Sequence, residues 1–347
     1  MKNILIIFLF LVSNAFSIDF EVKLKIFQEE AIIGEPIYAC IEVEYKGEGK
    51  EIIAKGRDGF RVVFVMKDIE GKYPKGKEQE SLSWLPYNNF EEINKGWKIE
   101  KCEDLLGKYI IDKEGRYNIY GYIVSKGPYY EKGSNPNDVK QKEAWEGYIE
   151  SEKNEITIRI PDGIDKEAYK EFNCGKGCMP LYGEEGRKLL EKYPTSTYAG
   201  WVLFSPGTDL EWASGKDLID DILKPVSERK RWGTFVDEDK GKGYKKSKDY
   251  YIKPADEEAR EYLEFSEKFL SANPNHINAG IIYARQSLAY MVLGKWEDAY
   301  KSGKLSLEKE WPLWIYSHYP PELEKQRKIL KEALDEMVKR GFVKDKK

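Results

Sequence analysis

Four cysteines are the residues of this sequence best suited to covalent chemistry. Cys174 and Cys178 enclose a Gly-Lys-Gly spacer, whereas Cys40 and Cys102 lie far apart in the first third of the chain. Of the three possible pairings, we favour Cys174 with Cys178 and Cys40 with Cys102, since glycine permits the tight reversal that the short loop needs. The alternatives are free structural thiols or, for Cys174 and Cys178, reduced side chains one turn apart on a helix.

The two histidines do not complete a metal or catalytic centre with these cysteines. His276 and His318 follow Cys178 by about a hundred residues or more, whereas zinc needs its ligands close together. Each histidine is predicted to lie in a surface loop rather than to act as a base. The chain also lacks the G-x-S-x-G, H-E-x-x-H and G-x-x-x-x-G-K-[ST] motifs. The sequence therefore predicts no metal ligand, no cofactor and no catalytic residue.

Aromatic residues make up 14% of the chain and are its strongest candidates for non-covalent binding. Exposed rings on loops can stack on sugars or peptides. The loop residues predicted to form such an aromatic surface are Trp84, Tyr87, Tyr129 and Tyr130. The alternative is that the aromatics fill strand and helix cores, which their propensity for strands favours.

The elements that must position these residues change character near the middle of the chain. Ile156, Ile158 and Ile160 alternate with polar residues as in a half-buried strand, and a Pro-Asp-Gly sequence follows them. Asp165 is placed to cap the helix that comes next. We therefore predict a multidomain all-β plus all-α chain, with a β-domain at 18–160 and a helical domain at 161–347 that contains an irregular charged insertion at 213–251.

Strands in the β-domain follow from the alternation of apolar and polar residues. This pattern predicts strands at 20–26, 37–45 and 60–67, and it is lost at 81–96, which we expect to be a loop. Cys40 has the opposite phase to the apolar residues of its strand, so it is predicted to face away from the main core.

The first 17 residues are predicted to be a signal peptide. They carry one lysine, an apolar run from Ile4 to Val12, and small residues at Ala15 and Ser17. Cleavage after Ser17 predicts an exported chain, periplasmic or secreted, in a compartment where cysteines pair. The alternative is an uncleaved anchor, although the run is well short of the ~20 residues that span a bilayer. No later segment is apolar enough to span a membrane.

Charge excludes one large class of partner. The formal net charge of the 347 residues is -4, and both signs are interspersed through the two predicted domains. A nucleic-acid-binding domain carries a basic excess, because phosphate neutralisation supplies most of its affinity. We therefore predict that neither domain binds nucleic acid.

Two short motifs of the β-domain occur together in a known fold. Gly115 and Tyr117 form a Gly-x-Tyr that leads into an alternating strand, and Gly34 to Pro36 makes a turn before a long strand. In these motifs the chain resembles the immunoglobulin-like sandwiches of exported bacterial proteins, whose late-strand tyrosine pins the preceding corner. The resemblance implies a two-sheet sandwich at 18–160. The Cys-Trp-Cys core of antibody domains is not reproduced.

The helices near the C-terminus show the pattern of a repeat. The residues at signature or small-residue positions are Ser287, Tyr290, Gly294, Trp296, Ala299 and Ser306. They resemble a tetratricopeptide repeat, in which Gly294 permits the tight turn and Ala299 lets two helices approach closely. Gly303 in place of an aromatic and the late Pro312 depart from that family. The resemblance implies helical hairpins across 161–347, with earlier units that have degenerated.

These observations predict a non-enzymatic, exported binding or scaffold protein. Its immunoglobulin-like and repeat-like surfaces would be presented to a protein or another component of the cell envelope. The alternative is a hydrolase of envelope or polysaccharide substrates, whose carboxylates would lie at the junction of the two domains without a recognisable motif.

Overall fold

A computed structural model describes the chain over most of its length. The described residues are 19–55, 60–76, 89–125, 129–132, 139–171, 184–204, 214–225, 228, 255–311 and 320–344. The chain has both strands and helices and divides between Arg159 and Ile160 into two compact units, which we call the β-unit and the helical unit. Within the described residues, no helix combines the length and the apolar character needed to cross a bilayer.

Fourteen strands are described in the β-unit. They are β1 (Phe20–Ile26), β2 (Glu30–Ile32), β3 (Tyr38–Tyr45), β4 (Glu51–Lys55), β5 (Arg61–Asp68), β6 (Lys75–Gly76), β7 (Asn89–Ile93), β8 (Lys98–Asp104), β9 (Tyr109–Ile110), β10 (Gly115–Ser125), β11 (Tyr129–Lys132), β12 (Val139–Lys142), β13 (Gly147–Glu150) and β14 (Asn154–Arg159). A short 3-10 helix at Leu105–Gly107 follows β8. The loop expected at 81–96 is therefore wrong at its end, where β7 pairs with β4.

Two sheets build the β-unit. The first has the antiparallel order β1-β3-β8, and the second is organised around the long strand β10. Strand β5 runs along one side of β10, while β14 and then β13 occupy the other side. Strand β2 adds to β14 in the parallel direction. Short ribbons β4-β7, β6-β9 and β11-β12 complete the unit.

Alternating residues of both sheets meet in one hydrophobic core. Ile41 and Val43 of β3 and Ile119 and Ile123 of β10 are fully buried in it. Gly121 lies between the two isoleucines of β10, and a Cβ atom at this position would overlap the Ile41 side chain. Glycine is therefore needed here because the two sheets approach so closely.

Eight α-helices are described in the helical unit. They are α1 (Gly163–Glu171), α2 (Glu184–Lys192), α3 (Thr197–Phe204), α4 (Gly215–Ile222), α5 (Ala255–Ala272), α6 (Ala279–Val292), α7 (Trp296–Glu308) and α8 (Pro320–Lys339). Apolar faces of α4, α5, α6, α7 and α8 share one core cluster.

Small residues let α6 and α7 pack as an antiparallel hairpin. Gly294 joins the helices with a positive φ of 68°. The hydroxyl of Ser287 donates to the carbonyl of Ala299, and that of Ser306 donates to the carbonyl of Gly280, each across 2.7 Å. Both bonds are buried and join one helix directly to the backbone of the other, so the two backbones lie close together.

The sequence predicted that Asp165 caps α1, but it does not. It lies inside the first turn of α1, and its carboxylate accepts bonds from the backbone N–H and the hydroxyl of Thr197, at 2.7 and 2.9 Å. Thr197 is the first residue of α3, so Asp165 satisfies a free donor at the start of that helix instead. Burial raises the pKa of this carboxyl.

Candidate ligand-binding face

The aromatic loop residues predicted as a binding surface are described only in part. Trp84 and Tyr87 lie outside the described residues, as do Cys174 and Cys178. The backbones of Tyr129 and Tyr130 belong to β11 and not to a loop, because they pair with Lys142 and Gln141 of β12. A binding surface at these four positions stays a prediction, and the described residues show a different place where aromatic rings come together.

A disulfide joins Cys40 to Cys102 across strands β3 and β8. The two residues are direct partners in the strand register, with Cα atoms 4.0 Å apart. Cys40 is buried outside the main core cluster, on the opposite side of β3 from Ile41. Such a bridge links two strands of one sheet and is typical of proteins in oxidising compartments.

Glu100 lies beside this disulfide. Its carboxylate and both sulfur atoms lie within 4.8 Å of one another, which makes this the one cluster of potential metal ligands among the described residues. Burial, followed by the charge of the neighbouring Glu42, raises the pKa of Glu100. Because the two sulfurs are bonded to each other, they do not offer thiolate ligands, and this cluster is not a metal centre.

The outer surface of the second sheet carries the most exposed aromatic group of the described residues. Along β10, Tyr117, Ile119 and Ile123 point into the core, so the intervening Tyr120 and Tyr122 point outward. Strands β5 and β13 flank β10 on either side and add further side chains. We call the resulting surface the tyrosine face; it consists of Lys67, Tyr73, Tyr120, Tyr122, Tyr148, Glu150 and Lys153.

One end of the tyrosine face is cationic. The Lys67 ammonium lies 4.7 Å from the ring centroid of Tyr73 and 5.8 Å from that of Tyr120. The Lys153 ammonium lies 5.4 Å from the same Tyr120 ring. Hydrogen bonding to Tyr120 and then to Tyr73 raises the pKa of Lys67, so its charge is present at neutral pH. Within the described residues, neither lysine forms an ion pair with a carboxylate.

The other end of the face carries an acceptor. Tyr148 is 55% exposed, and its hydroxyl donates to a carboxylate oxygen of Glu150 across 2.6 Å. Its ring centroid lies 4.9 Å from that of Tyr122. Burial, and then the bond to Glu150, raise the pKa of Tyr148, so its phenol stays neutral. The face therefore places aromatic rings between two ammonium groups and one carboxylate.

Tyr109 covers part of the neighbouring sheet edge. Its hydroxyl accepts a bond from the Met66 backbone N–H at 3.3 Å and donates to the Phe64 carbonyl at 3.4 Å. These backbone groups belong to the edge strand β5, whose unpaired groups would otherwise be open to a partner strand. A ligand is therefore better accommodated on the face of the sheet than along this edge.

A second aromatic group packs against the core. Phe20, Phe60 and Trp145 have ring centroids 4.9 to 5.7 Å apart, and Trp97 meets Phe60 edge-on at 6.0 Å. All four belong to or pack on the hydrophobic cluster of the β-unit. These four aromatic residues therefore fill the core, as the alternative interpretation of the aromatic residues predicted.

His276 is not the surface residue that its loop position suggested. Its ring makes edge-on contacts with Phe269 at 5.1 Å and Trp201 at 5.7 Å between centroids. Its Nδ1 accepts a bond from the Asn278 backbone N–H at 3.2 Å. Burial lowers the pKa of His276 to about 3, so the ring is neutral at physiological pH. Its contacts are structural.

Arg285 was not identified from the sequence, although it is buried in α6. Its guanidinium donates to the Leu203 carbonyl at 2.6 Å, near the C-terminal end of α3. The Tyr262 hydroxyl donates to the same carbonyl at 3.5 Å. Cations at a helix C-terminus stabilise its unsatisfied carbonyls, so Arg285 links α3 to α6.

Comparisons with known proteins do not identify a family. No protein-family model matches the sequence, and no curated protein matches it. Among solved structures, a beta-glucosidase from Listeria innocua in complex with glucose aligns at 15% identity, covering 40% of this chain and 16% of that one, with a TM-score of 0.18. A mutant of the beta-glucosidase from the same organism, in complex with laminaribiose, aligns at 14% identity with the same coverage and a TM-score of 0.19. At these TM-scores the similarity carries no argument about fold or function.

Proposed function

We propose that this chain is an exported, non-enzymatic binding protein that uses the tyrosine face to hold a component of the cell envelope. The observation that carries this proposal is the outward row of tyrosines, because a solvent-facing sheet surface is usually covered by polar residues. Tyrosines provide a large contact area and a polar tip, and they are enriched where proteins bind ligands and partners.

The topology of the β-unit supports an immunoglobulin-like sandwich. The Tyr117 hydroxyl donates to the Lys113 carbonyl at 3.0 Å, which is the corner bond expected of the Gly-x-Tyr motif. Two sheets share one core, and the chain passes from β1 in the first sheet to β2 in the second. Loops and faces of such domains commonly present binding surfaces.

The α6–α7 hairpin supports a repeat-like helical unit. Ala299 is fully buried, Gly294 forms the tight turn, and Trp296 stacks on Phe342 with ring centroids 4.4 Å apart. These are the roles that a tetratricopeptide-like pattern assigns to small and aromatic residues. Such helical pairs act mainly as scaffolds for protein contacts.

Export is supported by two independent features. Residues 1–17 have the composition of a signal peptide, and the Cys40–Cys102 disulfide suits an oxidising compartment. The mature chain would then meet envelope material directly.

Two of the carboxylates with raised pKa values, Asp104 and Asp165, do not favour the hydrolase alternative. Burial raises the pKa of Asp104 to about 6, but this carboxylate already accepts the Leu106 backbone N–H at 3.0 Å. Asp165 is likewise bound to Thr197. Both side chains serve the local backbone, so a binding function draws the stronger support.

Retention on envelope material tests the proposal. The mature chain, immobilised, is exposed to an envelope fraction, in parallel with a Tyr73→Ala/Tyr148→Ala variant and a Tyr169→Ala control on the helical unit. Tyr73 and Tyr148 are each 55% exposed, so both substitutions should leave the fold intact. We expect the double variant to lose most of the retained material and the control to keep it. Equal retention by all three proteins would rule out the tyrosine face as the binding surface.

A further inference from the structure

We propose that the tyrosine face binds an acidic polysaccharide, with anionic groups of the glycan at Lys67 and Lys153 and a sugar ring on Tyr120. This inference rests on the proposed function, because it names the ligand class of the same face. It is carried by the arrangement of charge along the face and by its aromatic rings, of which Tyr148 is exposed and Tyr120 and Tyr122 are half-buried.

The two lysines provide positive charge that no described carboxylate of the β-unit pairs with. Several other lysines of this unit lie within 4 Å of a carboxylate; they are Lys46, Lys50, Lys55, Lys72, Lys75 and Lys98. Lys67 and Lys153 instead both approach the Tyr120 ring, and among the described residues no carboxylate is bonded to either. A carboxylate or phosphate of a ligand would complete this local charge balance.

Glu150 adds a requirement that a simple anion does not meet. Its carboxylate accepts the Tyr148 hydroxyl at the opposite end of the face and retains capacity for further donors. Glutamate would repel a ligand that carries only negative charge, but it can accept hydrogen bonds from sugar hydroxyls. An acidic polysaccharide offers both the anions for the lysines and the hydroxyl donors for Glu150.

The rings between these groups suit the flat side of a sugar. Tyr120 and Tyr122 project from the same side of β10, and Tyr148 adds a third ring on the adjacent strand. Strand β10 is paired on both sides, so a ligand on this face is held by rings, hydroxyls and charges. Lysine is depleted at the centres of protein–protein interfaces, where arginine is enriched, and two lysines are too few for a nucleic acid. A glycan is therefore favoured over a protein or a nucleic acid as the ligand.

Binding of defined polymers to the mature chain tests the inference. The probes are polygalacturonate and dextran phosphate, two acidic polysaccharides that separate uronate from phosphate as the source of the anion, together with neutral dextran, polyglutamate and anionic phospholipid vesicles. The variants are Lys67→Gln/Lys153→Gln, Lys153→Gln alone and Glu150→Gln, with Lys166→Gln of the helical unit as the matched control. Lys153 and Lys166 are both exposed, so the single substitutions should not disturb folding.

We expect one of the two anionic polymers that carry hydroxyls to bind, in a manner weakened by salt. Loss of both lysines should reduce its affinity by about tenfold, and Lys166→Gln should have no effect. Glu150→Gln should also weaken this binding, whereas it would strengthen the binding of polyglutamate or vesicles by removing repulsion. Equal binding of dextran, stronger binding after Glu150→Gln, or no effect of the lysine variants would overturn the inference. If envelope retention still depends on Tyr73 and Tyr148 in that case, the proposed function stands and only the ligand class is wrong.

Discussion

The hydroxyl of Tyr117 donates to the backbone carbonyl of Lys113 across 3.0 Å and ties the start of β10 to the corner before it. The tyrosine is 6% exposed, so its hydroxyl has little access to water. This bond fixes the strand from which Tyr120 and Tyr122 project.

Replacing Tyr117 with phenylalanine should therefore destabilise the β-unit by about 1 kcal/mol, because the Lys113 carbonyl loses its partner. Residue-resolved hydrogen exchange of the β10 amides measures this change. Tyr73→Phe is the control, since Tyr73 is exposed and should tolerate the substitution. Identical exchange in the two variants would show that the corner bond does not stabilise the strand.

Removing the Cys40–Cys102 disulfide should cost the β-unit about 2–4 kcal/mol. The bridge closes a long loop, with a sequence separation of 62, and so restricts the unfolded chain. A Cys40→Ala/Cys102→Ala variant is compared with the wild-type chain by urea unfolding in the absence of reductant. A reductant should lower the wild-type stability towards that of the variant. No loss of stability in either comparison would contradict the prediction.

Enlarging Ala299 should disrupt the α6–α7 hairpin. Ala299 is fully buried, and its carbonyl accepts the Ser287 hydroxyl, so Ala299→Leu forces the two helices apart at a cost of about 1–3 kcal/mol or more. The control is Lys301→Leu, an exposed position of the same helix, which should change stability by less than about 0.5 kcal/mol. Thermal unfolding followed by circular dichroism distinguishes them. A similar melting temperature for both variants would place Ala299 outside a close helix contact.

His276 should make the helical unit less stable in acid. Its pKa is lowered to about 3 in the folded chain from the ordinary value of 6.5, so between these values the unfolded state binds the extra proton. Stability should fall as the pH drops from 6.5 towards 3, by up to about 1.4 kcal/mol per pH unit, and it should be insensitive to this group above 6.5. Urea titrations of wild-type and His276→Gln chains give the difference. Parallel pH profiles would mean that the ring is not held neutral by burial.

Local alternation of apolar and polar residues predicted several strands of both sheets and the outward direction of part of the site. The strands expected at 20–26, 37–45 and 60–67 correspond to β1, β3 and β5 within one or two residues. The same alternation places Tyr120 and Tyr122 opposite Ile119 and Ile123, so their outward direction was available from the sequence. Which strands lie beside β10 depends on long-range pairing, and that pairing brings Lys67 and Tyr148 to the face.

Elements and contacts without a local signal were missed. Strand β8 was missed because Ile99 is its one aliphatic residue, so it shows no alternation of apolar and polar residues. Most of its side chains are half-buried, and it pairs with β3, which is distant in sequence. The loop around His276 was recognised from its Asn-Pro-Asn sequence, but its burial comes from Trp201 and Phe269 on other helices. Tertiary contacts of this kind cannot be read from composition or periodicity.

The most direct test of the central claim is chemical footprinting of tyrosines on the mature chain. Nitration of exposed phenols, mapped by mass spectrometry with and without an envelope fraction, reports which rings the bound material covers. Tyr73 and Tyr148 are exposed on the tyrosine face, whereas Tyr169 is an exposed tyrosine of the helical unit. We predict that envelope material protects Tyr73 and Tyr148 and leaves Tyr169 unchanged. Unaltered nitration of Tyr73 and Tyr148 in the presence of bound material would contradict the account.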